Sequence, residues 1–402
     1  MSQTDRLLSS LTADARGAPP SGIVEVMRHG HGKPGIVPLW AGEGDLPTPA
    51  FVHEAAARSL AAGETFYTLQ TGLPEFRAAL AAYHDRVYGP LFGRPFEPAR
   101  FLVTGGGMHA IQLAVTAIAG PGDEVLVPTP AWPNFAAAVG IRGARPVEVP
   151  MRFGNDGFTL DLDDLAAAIT PATRAIFVNS PSNPTGWTAD AATLAAILEL
   201  SRRHGLWIVA DEVYGRFHYV EGRPVAPSFH HLIDEDDRVI FVNTFSKNWA
   251  MTGWRIGWIE VPTALSETIQ NLIQYSSSGT AVFMQRAAIA ALGDGDGFLA
   301  EQVARARTGR DIVAGALEAS GRVRFSRPEG AFYLFFSIDG EPDVRRLGLR
   351  LVDEANVGLA PGTAFGHAGA GFMRLCFARG SANLQIAAER LKVWLDNGRS
   401  MG

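Results

Sequence analysis

The sequence has a single cysteine among 402 residues, Cys376, so no intramolecular disulfide can form, and a reducing compartment is the expectation. It has no run of residues long and apolar enough to span a bilayer. It has no dense block of lysine and arginine, and its formal net charge is -6. Nucleic acid and anionic membrane surfaces are therefore not expected partners, because each needs a concentrated basic surface. The opening stretch, "MSQTDRLLSSLTADARGAPP", lacks a basic segment followed by an apolar one, and so does not read as a secretory leader. Internal repeats and low-complexity tracts are also missing. These absences together predict a cytoplasmic protein.

What is present is apolar content. Hydrophobic residues make up 47% and charged residues 19%, enough for one large domain with a smaller companion. Residues 1–22 are polar and read as a loose arm or short helix. From about residue 50, helix-period stretches such as "AFVHEAAARSLAAG", "LPEFRAALAAYHDRVYG" and "TADAATLAAILELSRRHG" alternate with short β-rich runs. The runs are "FLVTGG", "DEVLVPTP", "RAIFVNSP", "LWIVADE" and "RVIFVNTFS". This alternation predicts an α/β fold with a mostly parallel sheet flanked by helices. After about residue 290 a long helical stretch leads into "FYLFFSI" and "GFMRLCFA", which predicts a smaller α+β domain. The expected division is residues 46–289 for the large domain, with 1–45 and 290–402 forming the small domain and its N-terminal arm. The glycine-rich "GDGDG" (293–297) reads as the domain boundary, with a mere loop as the alternative.

In an open parallel sheet, ligands gather beyond the carboxyl ends of the strands. The residues following each apolar run are "TGGGMHA", "NSPSNPTG", "DEVY" and "NTFSK". Singly, each is ordinary: a glycine turn before a helix, an Asn-Pro turn, an aspartate cap, a surface lysine. Jointly they place an anion cradle at Gly107 and Met108, an amide at Asn183, an acid at Asp211, a phenol at Tyr214 and an amine at Lys247 on one edge. A phosphorylated heteroaromatic aldehyde needs this set. An amine condenses with the aldehyde, a carboxylate holds the ring nitrogen protonated, and the phenol and amide bind the ring oxygen. Trp132, after another strand, offers a face for stacking. The chemistry is that of pyridoxal 5′-phosphate.

At "PLWAGEGDLPTP", "SPSNPTG", "ADEVY", "SKNWAMTGWRIGW" and "GFMRLCFARG", in this order, the chain resembles the class I/II aminotransferases, the aspartate aminotransferase-like group of fold-type I pyridoxal-phosphate enzymes. The resemblance covers nearly the whole chain. It implies that Lys247 forms the Schiff base and moves the substrate proton, that Asp211 holds the ring nitrogen, and that Tyr214 and Asn183 hold the ring oxygen. Gly107, Met108, Thr244 and Arg255 match phosphate-binding positions. Tyr67 matches the tyrosine that reaches the neighbouring subunit's phosphate, which implies a homodimer with shared sites. Trp132 matches the stacking aromatic, Arg374 the arginine that grips the substrate carboxylate, and Gly42 the glycine beside the substrate. No metal is implied.

The sequence departs from the family in places. Thr244 stands where serine is common, and Met108 can offer only a backbone N–H. The stretch "QYSSSGTAVFMQR" has no arginine before Arg286, against a dedicated dicarboxylate specificity. Cys376 reads as core, and His109 is not assigned a role. The segment 21–40 is expected to line the substrate entrance, with Trp40 favouring apolar side chains. The expected activity is ping-pong transamination between an L-amino acid and a 2-oxo acid. A pyridoxal-phosphate-dependent cysteine-conjugate or cystathionine β-lyase is the alternative. A ligand-sensing regulator of the same fold is a distant third, because little chain precedes residue 40 to hold a DNA-binding domain.

Overall fold

Seven apolar runs pair edge to edge in the computed structural model, which describes residues 3–397. They are β1 (Phe101–Thr104), β2 (Glu124–Thr129), β3 (Arg145–Pro150), β4 (Thr173–Asn179), β5 (Trp207–Asp211), β6 (Val239–Thr244) and β7 (Gly257–Glu260). The sheet order is β1-β7-β6-β5-β4-β2-β3. The pairings among β2 to β6 are parallel, while β7 runs antiparallel to both β1 and β6. Apart from the edge strand β3, which is largely exposed, the strands are buried on both faces, as near-continuous Val/Ile/Phe/Leu runs require.

Register matters more than strand count here. Asn179 pairs with Asp211, and Gly257 pairs with Thr244 on one side and Thr104 on the other. The polar residues that end each apolar run therefore finish side by side along one edge of the sheet. A slip of one residue would turn every one of them to the opposite face.

The predicted helices form with the caps their sequences supply. Pro74 sits in the first turn of the helix Pro74–Tyr88. The helix Ala191–His204 is capped by Asp190, whose side chain accepts from Thr193 N at 2.7 Å, and ends at Gly205 in the left-handed conformation. The N-terminal arm holds two short exposed helices, Gln3–Ser9 and Ala13–Arg16. "GDGDG" is not a loop. It is the junction of the helices Val282–Asp294 and Asp296–Glu318, with Gly295 alone between them. A side chain at Gly295 would strike Trp249 and the Ala291 carbonyl, so glycine is needed there for close packing rather than for flexibility.

A second sheet contains β8 (Val323–Arg324), β9 (Tyr333–Ile338), β10 (Ala360–Pro361) and β11 (Phe372–Cys376), ordered β8-β9-β11-β10 and antiparallel throughout. Val37–Pro38 pairs in parallel with Val357–Gly358, so the segment before residue 40 joins the C-terminal part of the chain. No helix among the described residues is long and apolar enough to cross a membrane.

One buried charge network lies away from the sheet's ligand edge. Glu260 is fully buried and receives Arg100 Nε and His230 Nε2, each at 2.9 Å, with His84 Nε2 at 3.9 Å. Burial pushes the Glu260 carboxyl up, but the summed pull of His230, Arg100 and His84 outweighs it and holds the pKa at about 2. Burial lowers His84 to about 4. Both shifts act in the same sense on stability. The unfolded chain takes up protons first, at His84 below about 6.5 and at Glu260 below about 4.5, so folding weakens as pH falls. The melting temperature should decline from pH 6.5 toward pH 4 and further below, and a flat profile would show that these groups do not govern it. Glu260→Ala should cost about 3–5 kcal/mol in urea denaturation, because it strands Arg100 in the core.

Candidate active site

The ligand edge of the large sheet opens into a cavity of about 340 Å³. Its lining brings together Gly42, Gly107, Met108, Trp132, Asn183, Asp211, Tyr214, Thr244, Lys247, Arg255 and Arg374. Tyr67 is not among them. It is 94% exposed and lies near exposed Phe66 and Leu69 in the sequence.

One end of the cavity is built for an anion. Gly106 precedes the helix Gly107–Ile118 with φ +85° and ψ 173°, a conformation open in practice only to glycine. A Cβ there would lie 2.7 Å from Arg255 Nη2, so the glycine also lets the guanidinium come close to the helix N-terminus. Free backbone N–H groups and the helix dipole favour negative charge at that point. Thr244 Oγ1 accepts from Ser246 N at 3.2 Å and lies 2.9 Å from Ser246 Oγ. Arg255 holds a left-handed φ of 54° and donates from Nη1 to Thr252 O at 2.8 Å. The antiparallel return of β7 beside β6 brings Arg255 back to this anion-binding end. Ser246, directly before Lys247, is a lining residue that the sequence reading did not select.

At the centre sits Asp211, buried at the end of β5. Its backbone carbonyl accepts from Asn179 Nδ2 at 3.0 Å and from Ser180 N at 3.2 Å, fixing the strand end. Its carboxylate has a long contact of 3.4 Å from Val213 N and no ion pair among the described residues. Burial raises its pKa to about 7. Asn183 N donates to Asn179 Oδ1 at 2.8 Å. Lys247 Nζ donates to Gly42 O at 2.8 Å and lies 5.7 Å from the Tyr214 ring centroid. Burial lowers the Lys247 amine to about 8, so a useful fraction is neutral near physiological pH. Tyr214 and Tyr333 share a hydrogen bond of 2.7 Å between their phenols, and burial pushes the Tyr214 phenol up. Tyr333 was also not selected from sequence, because it opens the apolar run "YLFFSI" and reads as core.

The other end holds Arg374, on β11 and 2% exposed. Nη1 donates to Asn183 Oδ1 at 3.0 Å, Nη2 to Trp40 O, and Nε has no partner. The guanidinium stacks on Tyr333 at 4.7 Å and Phe365 at 4.9 Å, with no carboxylate paired to it among the described residues. Gly42 lies against Tyr333, whose hydroxyl would clash with any Cβ there. Trp40 lines the cavity, as does Ile23 on the helix Gly22–Gly30, in keeping with the expectation for the segment 21–40. The Trp40 ring is also buried, packed where Gly30 and Gly358 have no side chain. His109 is structural, with Nδ1 accepting from Gly105 N at 3.0 Å and Nε2 lying 2.9 Å from Ser276 Oγ. Cys376 is buried in the second sheet, as expected.

The arrangement can bind an anion at one end and a carboxylate at the other, with an acid lacking a cation and an amine of low basicity between them. Residues 34–391 match the family described as aminotransferase class I and II.

The chain belongs to the class I and II aminotransferases.

It is 32% identical to an aspartate aminotransferase of Pyrococcus horikoshii, over 90% of this chain and 91% of that protein. It is 36% identical to an arginine–pyruvate transaminase of Pseudomonas aeruginosa, over 89% of each. Among solved structures, the aspartate aminotransferase from Thermus thermophilus with maleate superposes with a TM-score of 0.87 at 34% identity, over 95% of this chain and 99% of that one. The protein is thus an aminotransferase, acting on amino and oxo acids, and its fold is that of the fold-type I enzymes. The β-lyase alternative is not favoured, since these relatives are transaminases. Within this aminotransferase, Gly106→Ala should cost about 1–3 kcal/mol through backbone strain alone. A thermal midpoint equal to the wild type would show that the Gly106–Arg255 approach is not needed.

Proposed function

We propose that this aminotransferase uses pyridoxal 5′-phosphate, held by the residues of the cavity, in a ping-pong exchange of amino groups between an L-amino acid and a 2-oxo acid. The observation that carries the reading is one cavity holding a buried acid without a cation, a buried guanidinium without an anion and an amine with a pKa of about 8. Each is costly to bury alone, and each matches a group on the cofactor or the substrate. When bound, the cofactor supplies an aldehyde for amine condensation and a ring that accepts electrons.

The chain's own residues do the rest. Gly107, Met108, Thr244, Ser246 and Arg255 hold the phosphate, and Trp132 covers a ring face. Asp211 would pair with the ring nitrogen, a partner that favours its ionised carboxyl. Asn183 and Tyr214 hold the ring oxygen, with Tyr333 orienting Tyr214. Arg374 grips the α-carboxylate in a planar fork, which lysine would not reproduce, and Asn183 aims it. Gly42 lets the substrate lie close to the backbone. Lys247 would take the substrate α-proton as a positioned base, a contribution of roughly 10²–10⁴-fold.

The division into a large domain (46–289) and a small one (1–45 and 290–402) is proposed with it, supported by the pairing of Val37–Pro38 with Val357–Gly358. A homodimer is supported by the exposed Phe66, Tyr67, Leu69 and Tyr275, apolar surface in want of cover, with Tyr67 reaching the partner's phosphate. The free buried thiol of Cys376 supports a cytoplasmic place of work.

Lys247→Ala should abolish the visible absorbance band that the wild type acquires with pyridoxal 5′-phosphate, and lower turnover by at least about 10²–10⁴-fold. Wild-type turnover in that variant would remove Lys247 from the chemistry. Tyr67→Glu combined with Tyr275→Glu should convert a dimer to a monomer in analytical ultracentrifugation, and a monomeric wild type would end the dimer proposal.

A further inference from the structure

We infer that the amino donor preferred by this site has an uncharged, apolar side chain, because the cavity has no seat for a second carboxylate. The inference deepens the proposed function and rests on it. The cations lining the cavity are Lys247, Arg255 and Arg374. Arg255 serves the anion cradle beside Gly106, Lys247 stands at the reacting carbon, and Arg374 takes the α-carboxylate. No other lysine, arginine or histidine among the described residues lines the cavity. The lining outside those tasks carries no cation: it includes the apolar Ile23, Ala41 and Trp132 and the neutral amides of Asn134 and Asn179, the latter already bonded to Asp211 O and Asn183 N. A second carboxylate pressed against that wall would be desolvated without a cation, whereas an apolar side chain gains by burial.

The charges just beyond the wall have the wrong sign for an acidic donor. Trp132 is shared with a neighbouring groove whose ionisable groups are Asp14 and Glu148. His367 Nδ1 lies 3.3 Å from Glu148 Oε2 and so is engaged. A second copy of the chain would not correct the balance from the exposed face around Tyr67 and Tyr275. Residues 63–76 and 267–285 contain no lysine or arginine. Arg286, which follows, is held by Glu64 at 2.9 Å and lies 3.6 Å from Glu75. The charge inventory therefore disfavours an acidic donor.

The test has two readouts on the pyridoxal-phosphate-loaded protein. The first is the half-reaction with phenylalanine, leucine, aspartate, glutamate and arginine in turn, followed by the cofactor's absorbance without any oxo acid. The second is equilibrium binding of 3-phenylpropionate and of maleate, read by quenching of tryptophan fluorescence. Phenylalanine and leucine should exceed aspartate and glutamate in kcat/KM by more than about tenfold, and 3-phenylpropionate should bind more tightly than maleate. Aspartate, glutamate or arginine equalling phenylalanine, or maleate binding more tightly, would overturn the inference while leaving the transamination reading intact. Inertness toward all five donors would instead overturn the reading on which the inference rests.

Discussion

A carboxylate sits at the end of the fifth strand with almost nothing to hold its charge. Asp211 is desolvated, and burial raises its pKa to about 7 despite a long hydrogen bond of 3.4 Å from Val213 N. A group in that state destabilises the chain that carries it unless a cation arrives. Arg374 presents the mirror situation, a guanidinium deep in the protein with aromatic faces and carbonyls around it and an unpartnered Nε. The amine of Lys247 lies between, and burial has already taken part of its basicity. Stability elsewhere has to support three such groups in one cavity, and the support is visible in the broad apolar cores beneath both sheets.

The contrast with Glu260 makes the point sharper. That carboxylate is buried as deeply as Asp211, yet it has Arg100 and His230 at 2.9 Å, and its pKa falls to about 2. The same side-chain chemistry at similar depth ends about five units apart, because one carboxylate has its partners within the chain and the other does not. Satisfied charge serves the fold. Unsatisfied charge aimed into a cavity marks a place where something else binds.

Much of this was legible in the sequence, for a reason rooted in strand geometry. Apolar runs of four to seven residues with helices between them specify a buried parallel sheet, and such a sheet gathers the residues after each run on one edge. Asn183, Asp211, Tyr214 and Lys247 all follow such runs, so their meeting could be expected. Tyr333 and Ser246 escaped notice because nothing in their neighbours distinguishes a phenol in an apolar strand from core, or a hydroxyl beside a more conspicuous lysine. Trp40 was legible as a wall of the pocket, but the slot that Gly30 and Gly358 open for its ring was not. The Glu260 network was out of reach, as its members come from positions 84, 100, 230 and 260, which only the tertiary fold unites.

The short segment from Trp40 to Gly42 carries a mechanical consequence. Its first carbonyl receives the guanidinium of Arg374, and its last receives the amine of Lys247. One three-residue ribbon thus steadies both the group that orients an incoming acid and the group that exchanges a proton with it. Should the ribbon shift, the amine would lose an acceptor that favours its charged form just as the guanidinium lost its alignment. Grip and basicity are geared to the same piece of backbone, so neither can drift without the other.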